Sequence, residues 1–345
     1  MSTASFIGAG DFMVSETDPD FMLRHVADIM RAADVTYLNV EGPICDQGEV
    51  HAAITGVGIP VRSVPRAAKG LKNAGVDIVS LANNHTMDYG ALGLEQTFEL
   101  LGAQGIAYCG AGRNLVQARR PVSLQVKGLR VSFLSYTSVC LPAYAASRDG
   151  HGAAVVRAST SYDVNFRVVM QPGSPLHIRS HANPDDLRMV QEDVRAAKAD
   201  ADVVFVAWHW GVSERHGKVA EYQRELGCAA IDAGADAIVG HHAHMVLGVE
   251  FYKQRPIFYS VGNFAFDMSH HYFRPETVVI KCDIECSGLR NFRLLPFMAN
   301  PARQPCPADE RGTQRMAWML EDLSDGMNTK INCAGREIEI SPLTA

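Results

Sequence analysis

The sequence lacks a long apolar run. No stretch of about 18 consecutive apolar residues occurs, although a membrane-spanning helix needs roughly that length. The amino terminus also lacks the basic region and the apolar segment of a secretory signal. From these two absences we expect a cytoplasmic protein without a membrane span.

An excess of positive charge is missing too. The formal net charge is -6, which gives no general attraction to nucleic acid or to anionic membranes, so we predict no nucleic-acid partner. The cysteines include no C-x-x-C pair, which favours reduced, mostly buried thiols. They are Cys45, Cys109, Cys140, Cys228, Cys282, Cys286, Cys306 and Cys333.

Two catalytic motifs are absent as well. The chain has no G-x-x-x-x-G-K-[ST] loop and no G-x-S-x-G elbow, which argues against a nucleoside triphosphatase and a serine hydrolase. A weaker hypothesis is a nucleotide-binding α/β protein, based on the glycine-rich segment Gly110-Ala111-Gly112-Arg113. Because the third glycine is missing, a simple turn is the better interpretation of that segment.

The sequence does contain an alternation of strand-like and helix-like patterns. Its 345 residues, 47% hydrophobic and 20% charged, suit an ordinary globular chain, and the alternation favours a layered α/β fold. We predict a single domain over residues 1–345, with an insertion at about 138–183 and an antiparallel closing section after about 270. Apolar residues at helical spacing predict helices at 20–33, 64–74, 90–104, 184–199 and 219–233.

Five of the strand patterns are each followed by a polar cluster. These strands are rich in β-branched and aromatic residues without polar alternation, which is typical of strands covered on both faces. Because open α/β sheets gather functional groups at the carboxyl ends of strands, we expect one assembled site. The clusters are Asp11, Asn39-Val40-Glu41, Asn83-Asn84-His85, His209 and His242-Ala243-His244.

The residue types in these clusters are metal ligands. His242 and His244 are two residues apart, so both rings can face neighbouring metal ions from one tight loop, and imidazole suits Zn, Mn or Fe. Asp11 and Glu41 each lie beside a glycine that permits a sharp exit from a strand. Each residue alone would more often be a cap, a turn residue or a core histidine. Their joint occurrence favours a metal site, from which we leave out His241.

The cluster around Asn84 also contains a candidate general acid, His85. An amide oxygen can ligate a metal while the adjacent His85 remains a proton donor, oriented by Asp88. The alternative is that these residues cap the helix predicted at 90–104.

The order of the clusters resembles the calcineurin-like metallophosphoesterase superfamily and, more narrowly, the CapA family of bacterial capsule and poly-γ-glutamate synthesis proteins. The resemblance runs from about residue 5 to about residue 285, and the joint motif set is specific. It is carried by Asn39-Val40-Glu41-Gly42-Pro43-Ile44, Ala82-Asn83-Asn84-His85-Thr86-Met87-Asp88-Tyr89-Gly90, Gly110-Ala111-Gly112, His209-Trp210-Gly211, Gly240-His241-His242-Ala243-His244 and Tyr259-Ser260-Val261-Gly262-Asn263-Phe264.

This resemblance implies an α/β fold, a layered metallophosphoesterase-like β-sandwich flanked by helices, and a site for two divalent metal ions (Mn, Fe or Zn). His85 would be the general acid, with Asp88 as its partner, and Asn263 would lie just outside the ligands and near the substrate. By similarity, a first metal would be held by Asp11 and His244, a second by Asn84, His209 and His242, and both by the bridging Glu41.

Two positions depart from the superfamily pattern. Met13 stands where the superfamily has a histidine, so the first metal loses a ligand. Glu41 stands in place of a bridging aspartate, and its longer side chain implies a different metal geometry.

The insertion contains basic residues among turn formers. One hypothesis places it over the site, where Arg148, His151 and Arg157 would bind an anionic small molecule or polymer. The other treats it as a solvated loop.

Two main functional hypotheses follow. The first is a metal-dependent hydrolase acting on a phosphoester or a γ-glutamyl or peptide-type amide, in capsule polymer or related small-molecule biosynthesis. The alternative is a non-catalytic assembly component of a poly-γ-glutamate capsule synthase, which the departure at Met13 favours. Oligomer formation is compatible with either.

Overall fold

The computed structural model describes residues 2–15, 17–213, 218–268 and 274–343. Most of its strands belong to two sheets that stack face to face. The strands are β1 (Ala4–Met13), β2 (Val35–Val40), β3 (Ile78–Ser80), β4 (Ala107–Cys109), β5 (Ala111–Gly112), β6 (Val122–Val126), β7 (Leu129–Thr137), β8 (Gly152–Ala153), β9 (Ala158–Asp163), β10 (His177–Ala182), β11 (Val203–His209), β12 (Ala237–His241), β13 (Val249–Tyr252), β14 (Arg255–Phe258), β15 (Asn263–Phe266), β16 (Glu276–Glu285), β17 (Gly288–Ala299), β18 (Pro305–Pro307), β19 (Thr329–Ala334) and β20 (Glu337–Pro342).

The first sheet is built around β1. Its order is β19-β20-β17-β16-β1-β2-β3-β4, with β15 also paired to β1 and β18 to β17. β1 to β4 run parallel, whereas β16 and β17 are antiparallel neighbours on the other side of β1. The parallel strands β2 and β3 are buried along their whole length, which explains why they show no polar alternation in the sequence.

The second sheet has the order β13-β14-β12-β11-β7-β6. Its four central strands are parallel, and β13 and β6 close its edges in antiparallel pairing. Between the two sheets lies an aromatic core, in which Phe6 of β1 stacks on Phe205 of β11 with ring centroids 4.3 Å apart. Phe133 of β7 stacks on Phe205 and on Tyr37 of β2, so the rings join both sheets.

Helices cover the outer faces of both sheets. Met22, Leu71 and Leu94 pack on the first sheet, and Val190 and Leu226 pack on the second. The helices are α1 (Pro19–Leu23), α2 (Ala27–Arg31), α3 (Ala67–Asn73), α4 (Gly90–Ala103), α5 (Leu115–Arg119), α6 (Phe166–Met170), α7 (Pro184–Ala199), α8 (Glu221–Ala233) and α9 (Glu310–Leu323). The predicted layered α/β sandwich flanked by helices is confirmed.

The spacing of apolar residues predicted the positions of four helices well and those of α1 and α2 poorly. α3, α4, α7 and α8 lie within a few residues of the predicted ranges. The helix predicted at 20–33 is divided into α1 and α2. After residue 270, β16, β17, β20 and β19 pair antiparallel in that order, as expected for the closing section, and α9 follows β18 in the chain.

The predicted insertion carries a two-stranded ribbon, β9 paired with β10, and its tip contains α6. The ribbon is attached to the body at its base, where Arg157 donates to both oxygens of Asp186 at the start of α7.

All eight cysteines are free thiols. The expectation that most are buried is wrong, because Cys286 is exposed and only Cys45, Cys109 and Cys282 are fully buried.

Candidate metal centre

The five polar clusters meet where the carboxyl ends of strands from both sheets converge. In the first sheet, β1 and β2 are paired so that Asp11 lies opposite Asn39. In the second, β11 and β12 are paired so that His209 lies opposite His241. The first sheet thus supplies Asp11, and the second supplies His209, to one buried site.

Glu41 lies at the middle of this site. It follows β2 directly, and Gly42 turns the chain away with a φ of 82° that favours glycine. Both carboxylate oxygens are buried without a hydrogen-bond partner among the described residues. Three imidazole nitrogens surround Oε1, with His85 Nε2 at 3.9 Å and the Nε2 atoms of His209 and His244 each at 3.8 Å.

This environment makes Glu41 costly to ionise. Burial, and then the negative charge of Asp11, raise the pKa of Glu41 well above its ordinary value. A buried carboxylate without donors is destabilising unless a cation compensates it. The orphaned oxygens and the surrounding ring nitrogens therefore fit a metal ion at this point.

Asp11, by contrast, has several partners. Its Oδ1 accepts a hydrogen bond from Asn39 Nδ2 at 2.9 Å and lies 3.1 Å from His241 Nδ1, and its Oδ2 accepts from the backbone N–H of His242 at 3.3 Å. Burial opposes ionisation, but the neighbouring His241 imidazole holds the pKa of Asp11 below its ordinary value. Asp11 is thus kept as an oriented anion.

His244 completes a first group of donors. Its Nδ1 lies 2.9 Å from Oδ1 of Asn263, which leaves Nε2 facing Glu41. One ligand atom from each of Asp11, Glu41 and His244 lies within 4.8 Å of the others. This group has the donor types, two carboxylates and an imidazole, that a divalent cation prefers.

A second group of donors lies on the other side of Glu41. His209 Nε2 is 2.6 Å from Asn84 Oδ1 and 3.1 Å from His242 Nδ1. Burial and the neighbouring imidazoles lower the pKa of His209 well below its ordinary value, and burial lowers the pKa of His242 to about 3. Both rings are therefore neutral at physiological pH, which is the form that binds metals.

His85 and Asp88 form a dyad at the edge of the site. His85 Nδ1 is 2.7 Å from Asp88 Oδ2, and its Nε2 faces Glu41. Burial opposes protonation of His85, but the hydrogen bond and charge of Asp88 raise its pKa. Asp88 is itself fixed, since Oδ1 accepts from the hydroxyl of Tyr144 at 2.9 Å and Oδ2 from the Val61 N–H at 2.8 Å.

The loop before the dyad is held by Asn83 rather than by a helix cap. Asn83 Oδ1 accepts from the N–H groups of Gly42 and His85 at 3.2 and 3.1 Å. The residue preceding α4, Tyr89, makes no side-chain cap. The capping alternative for this cluster is therefore wrong for α4, and Asn83 instead ties the loops of Glu41 and His85 together.

The site opens into a cleft of about 620 Å³. Glu41, Asn84, His85, His242 and His244 lie on its floor. Its walls are mostly apolar, and they include Ile54, Val57, Ile59, Val61, Val139, Cys140, Leu141, Phe266 and Met268. The start of the predicted insertion, residues 139–141, contributes to these walls.

The basic residues of the insertion do not reach this cleft. Arg157 is paired with Asp186, and His151 Nε2 lies 2.5 Å from Glu95 Oε1. Arg148 is exposed and does not belong to the described lining. The expectation that these three residues contact a substrate in the cleft is therefore not supported by their positions.

Met13 is fully buried and packs with Val61 and Phe266 in a small apolar cluster. At the position where the resembling superfamily has a histidine, this chain thus uses the side chain for packing.

Sequence reasoning missed three supporting residues. Asn39 and His241 both contact Asp11, and Tyr144 fixes Asp88. Asn39 and His241 belong to the motifs noted in the sequence, so their proximity to strand ends was a usable signal. Tyr144 has no such signal, because it comes from the insertion and reaches Asp88 only through the fold.

The family assignment rests on a comparison with known proteins. A family model described as bacterial capsule synthesis protein PGA_cap matches residues 6–268. The chain belongs to this family. The family lies within the metallophosphoesterase-like superfamily, so the resemblance found in the motifs is confirmed.

Several curated relatives carry related names. Capsule biosynthesis protein CapA of Bacillus anthracis is 32% identical over 74% of this chain and 56% of that protein, so the chain spans little more than half of that relative. PGA biosynthesis protein CapA of Bacillus subtilis is 28% identical over 93% of this chain and 80% of that protein. A probable polyglutamine synthesis accessory protein of Mycobacterium tuberculosis is 29% identical over 79% of this chain and 68% of that protein.

Two solved structures were also matched. GAP50, the anchor in the inner membrane complex of Plasmodium, gives a TM-score of 0.34 at 10% identity, covering 88% of this chain and 86% of that one. Purple acid phosphatase PPD1 from yellow lupin gives a TM-score of 0.36 at 8% identity, covering 90% and 55%.

Within the described ranges, none of the helices combines the length and apolar character required to cross a bilayer.

Proposed function

We propose that this protein is a metal-dependent hydrolase with a dinuclear centre, acting on a phosphoester or on a γ-glutamyl or peptide-type amide in the synthesis of a capsule polymer such as poly-γ-glutamate or of a related small molecule. The printed names of its relatives support the biosynthetic setting. The observation that carries the chemistry is Glu41, whose two buried oxygens have no donor among the described residues and whose Oε1 faces three imidazole nitrogens.

The two groups of donors supply the ligands in this proposal. Asp11 and His244 would hold one divalent ion, Asn84, His209 and His242 the other, and Glu41 would contact both. When bound, two such ions supply an activated water and stabilise negative charge on the scissile centre. Mn, Fe and Zn all suit this mixed set of imidazole and oxygen donors.

The His85–Asp88 dyad would supply general acid catalysis from the protein's own side chains. Asp88 accepts at Nδ1 of His85 and so leaves Nε2 directed into the cleft, where it can donate a proton to a leaving group. The fixed contacts of Asp88 with Tyr144 and Val61 keep the imidazole in this orientation.

The experiment that tests the centre is metal analysis by plasma mass spectrometry on protein purified without chelator. Close to two equivalents of Mn, Fe or Zn per chain are expected, with a loss in His242→Ala. One equivalent indicates that the first site is incomplete because of Met13. No metal after reconstitution contradicts the two-metal mechanism.

A non-catalytic role in polymer synthase assembly is the second candidate. It is favoured by the packing of Met13 into an apolar cluster and by relatives named accessory proteins. The two candidates differ in a cellular test with a His85→Gln variant that retains its metal. Full polymer production by this variant in a strain lacking the wild-type protein supports assembly, whereas loss of production supports catalysis.

A further inference from the structure

A second, smaller pocket opens beside the metal cleft. It has a volume of about 270 Å³ and shares Val61 and Met268 with the wall of the cleft. Met13, Cys45 and Tyr89 also line it. The side pocket therefore adjoins the metal cleft at Val61 and Met268.

Two opposite charges line the side pocket. Arg62 is half-buried, with its guanidinium carbon 4.4 Å from the centroid of the Tyr89 ring. Asp46 stands on an exposed loop of the same lining. Neither Arg62 nor Asp46 forms an ion pair with any other residue that the structure describes. Both charges are thus available to a ligand.

Both charged groups are held in place by neighbours that do not neutralise them. Stacking on Tyr89 orients the guanidinium, which also makes a hydrogen bond with the Cys45 thiol, and neither neighbour neutralises its charge. Gln96 accepts from the backbone of Asp46 at 2.9 Å and donates to its carboxylate at 2.7 Å. Burial raises the pKa of the Cys45 thiol to about 11, so this lining thiol stays uncharged at neutral pH.

We propose that the side pocket binds the zwitterionic α-amino-acid group of the substrate, with the carboxylate on Arg62 and the ammonium on Asp46. A guanidinium edge matches a carboxylate in a bidentate geometry, whereas a phosphate dianion would meet the unfavourable charge of Asp46. This inference rests on the proposed function, since it assigns the other end of the substrate to the metal centre.

The inference narrows the choice among the proposed substrates to a γ-glutamyl amide with a free α-amino group. Water adds to the γ-carbonyl carbon and the carbon–nitrogen bond breaks, giving a γ-carboxylate and an amine. His85 donates the additional proton of the amine, one proton of the water restores His85, and the other is released to solvent as the γ-carboxylate forms. In a γ-linked polymer only the terminal residue with a free ammonium fits both charges, because every other α-nitrogen is part of an amide bond. Cleavage is therefore confined to that end.

Calorimetric titration of the metal-loaded protein tests the pocket without turnover. L- and D-glutamate are compared with glutarate, which lacks the ammonium, and with N-acetylglutamate, in which it is blocked. At least one enantiomer of glutamate is expected to bind more tightly than both analogues. Arg62→Ala should weaken that binding by about tenfold to a hundredfold, and Asp46→Asn should remove the preference over glutarate.

Arg24→Ala is the matched control. Arg24 also stacks on an aromatic ring, Phe21, with the same 4.4 Å separation, but it lies outside the pocket lining. Unchanged glutamate binding is expected for this variant. Equal binding of glutamate to wild type and Arg62→Ala, equal binding of glutamate and glutarate to wild type, or no glutamate binding at all would each overturn the inference.

Turnover separates this inference from the proposed function. The matched substrates are the p-nitroanilides of γ-linked glutamate and of glutarate. If glutamate binding depends on Arg62 but neither anilide is hydrolysed, the result supports the proposed ligand of the side pocket and contradicts amide hydrolysis. If both anilides are hydrolysed with the same KM by the wild type and by Arg62→Ala, the result supports the hydrolase function and contradicts the proposed role of the side pocket.

Discussion

At the scale of single residues, the function of this protein depends on which buried groups have partners. Glu41 and Glu250 are both buried carboxylates, but they differ in whether hydrogen-bond donors surround them. Glu250 accepts from Arg224 and from the hydroxyl of Tyr259 at 2.7 Å, whereas Glu41 has no donor in the part of the chain that the structure describes. A satisfied carboxylate contributes to stability, and an unsatisfied one reduces stability until a cation binds.

This contrast leads to a prediction for Glu41→Gln. The variant should bind less metal, yet its chelated form should melt no lower than the chelated wild type, because a neutral amide removes the cost of the buried charge. Glu250→Gln, the matched control, should lose about 1–3 kcal/mol of unfolding free energy. Thermal denaturation with and without chelator measures both, and a destabilised chelated Glu41→Gln would contradict the prediction.

The dyad leads to a second prediction at this scale. Asp88→Asn keeps the shape of the side chain but removes the charge that supports the protonated His85. We expect kcat to fall by about two to four orders of magnitude, with metal content unchanged because Asp88 is outside both donor groups. Steady-state kinetics beside metal analysis measures this, and loss of metal together with activity would assign Asp88 a structural role instead.

At the scale of elements, the centre depends on how closely β12 approaches its neighbours. Gly240 lies in β12 just before the histidine loop, and a Cβ there would be 2.2 Å from the carbonyl oxygen of Tyr259 and 2.6 Å from Trp210 Nε1. His242 and His244 follow with φ angles of 86° and 55°, a conformation that side chains rarely adopt. The tight packing around Gly240 thus supports a strained ligand loop.

Gly240→Ala tests this packing. The added methyl group has no space, so we expect a loss of about 1–3 kcal/mol in unfolding free energy and reduced metal binding. The control is Gly102→Ala in α4, where a Cβ would meet no atom of the described residues within 4 Å. That change should stabilise the protein by about 0.5–1 kcal/mol, because alanine loses less backbone entropy in a helix. Chemical denaturation of both variants provides the comparison.

At the scale of the whole molecule, the centre joins the two sheets. In the first sheet, Asp11 lies in β1 and Glu41 follows β2, whereas in the second His209 ends β11 and His242 follows β12. Each of the two proposed ions would be held by ligands from both sheets, so metal binding would stabilise the packing of one sheet on the other and not only a local loop.

Metal binding should therefore raise the stability of the entire fold. Free metal at a hundred times its dissociation constant is expected to add about 2.7 kcal/mol to the unfolding free energy. Calorimetry across a metal titration measures the shift, and His242→Ala should show a smaller one. A metal-dependent change confined to hydrogen exchange in the ligand loops, without a shift in melting temperature, would contradict this coupling of the two sheets.

The sequence by itself determined the elements and the chemical types at their ends. Uniformly apolar strands and periodic helices are local signals, and the polar clusters lie at the carboxyl ends of β1, β2 and β11 in the chain itself. These signals were sufficient for the layered sandwich and for the family. The helix predicted at 20–33 failed because its interruption at residues 24–26 shows no glycine or proline.

Only the tertiary structure decided how those chemical groups are paired. Within the described ranges Glu41 has no donor, Tyr144 donates to Asp88, and Arg157 donates to Asp186 instead of facing the cleft. Such contacts join residues that are tens of positions apart, and local periodicity carries no information about them. The packing of the two sheets therefore determines which polar residues meet, and it places the charges of Arg62 and Asp46 in a pocket beside the metal centre.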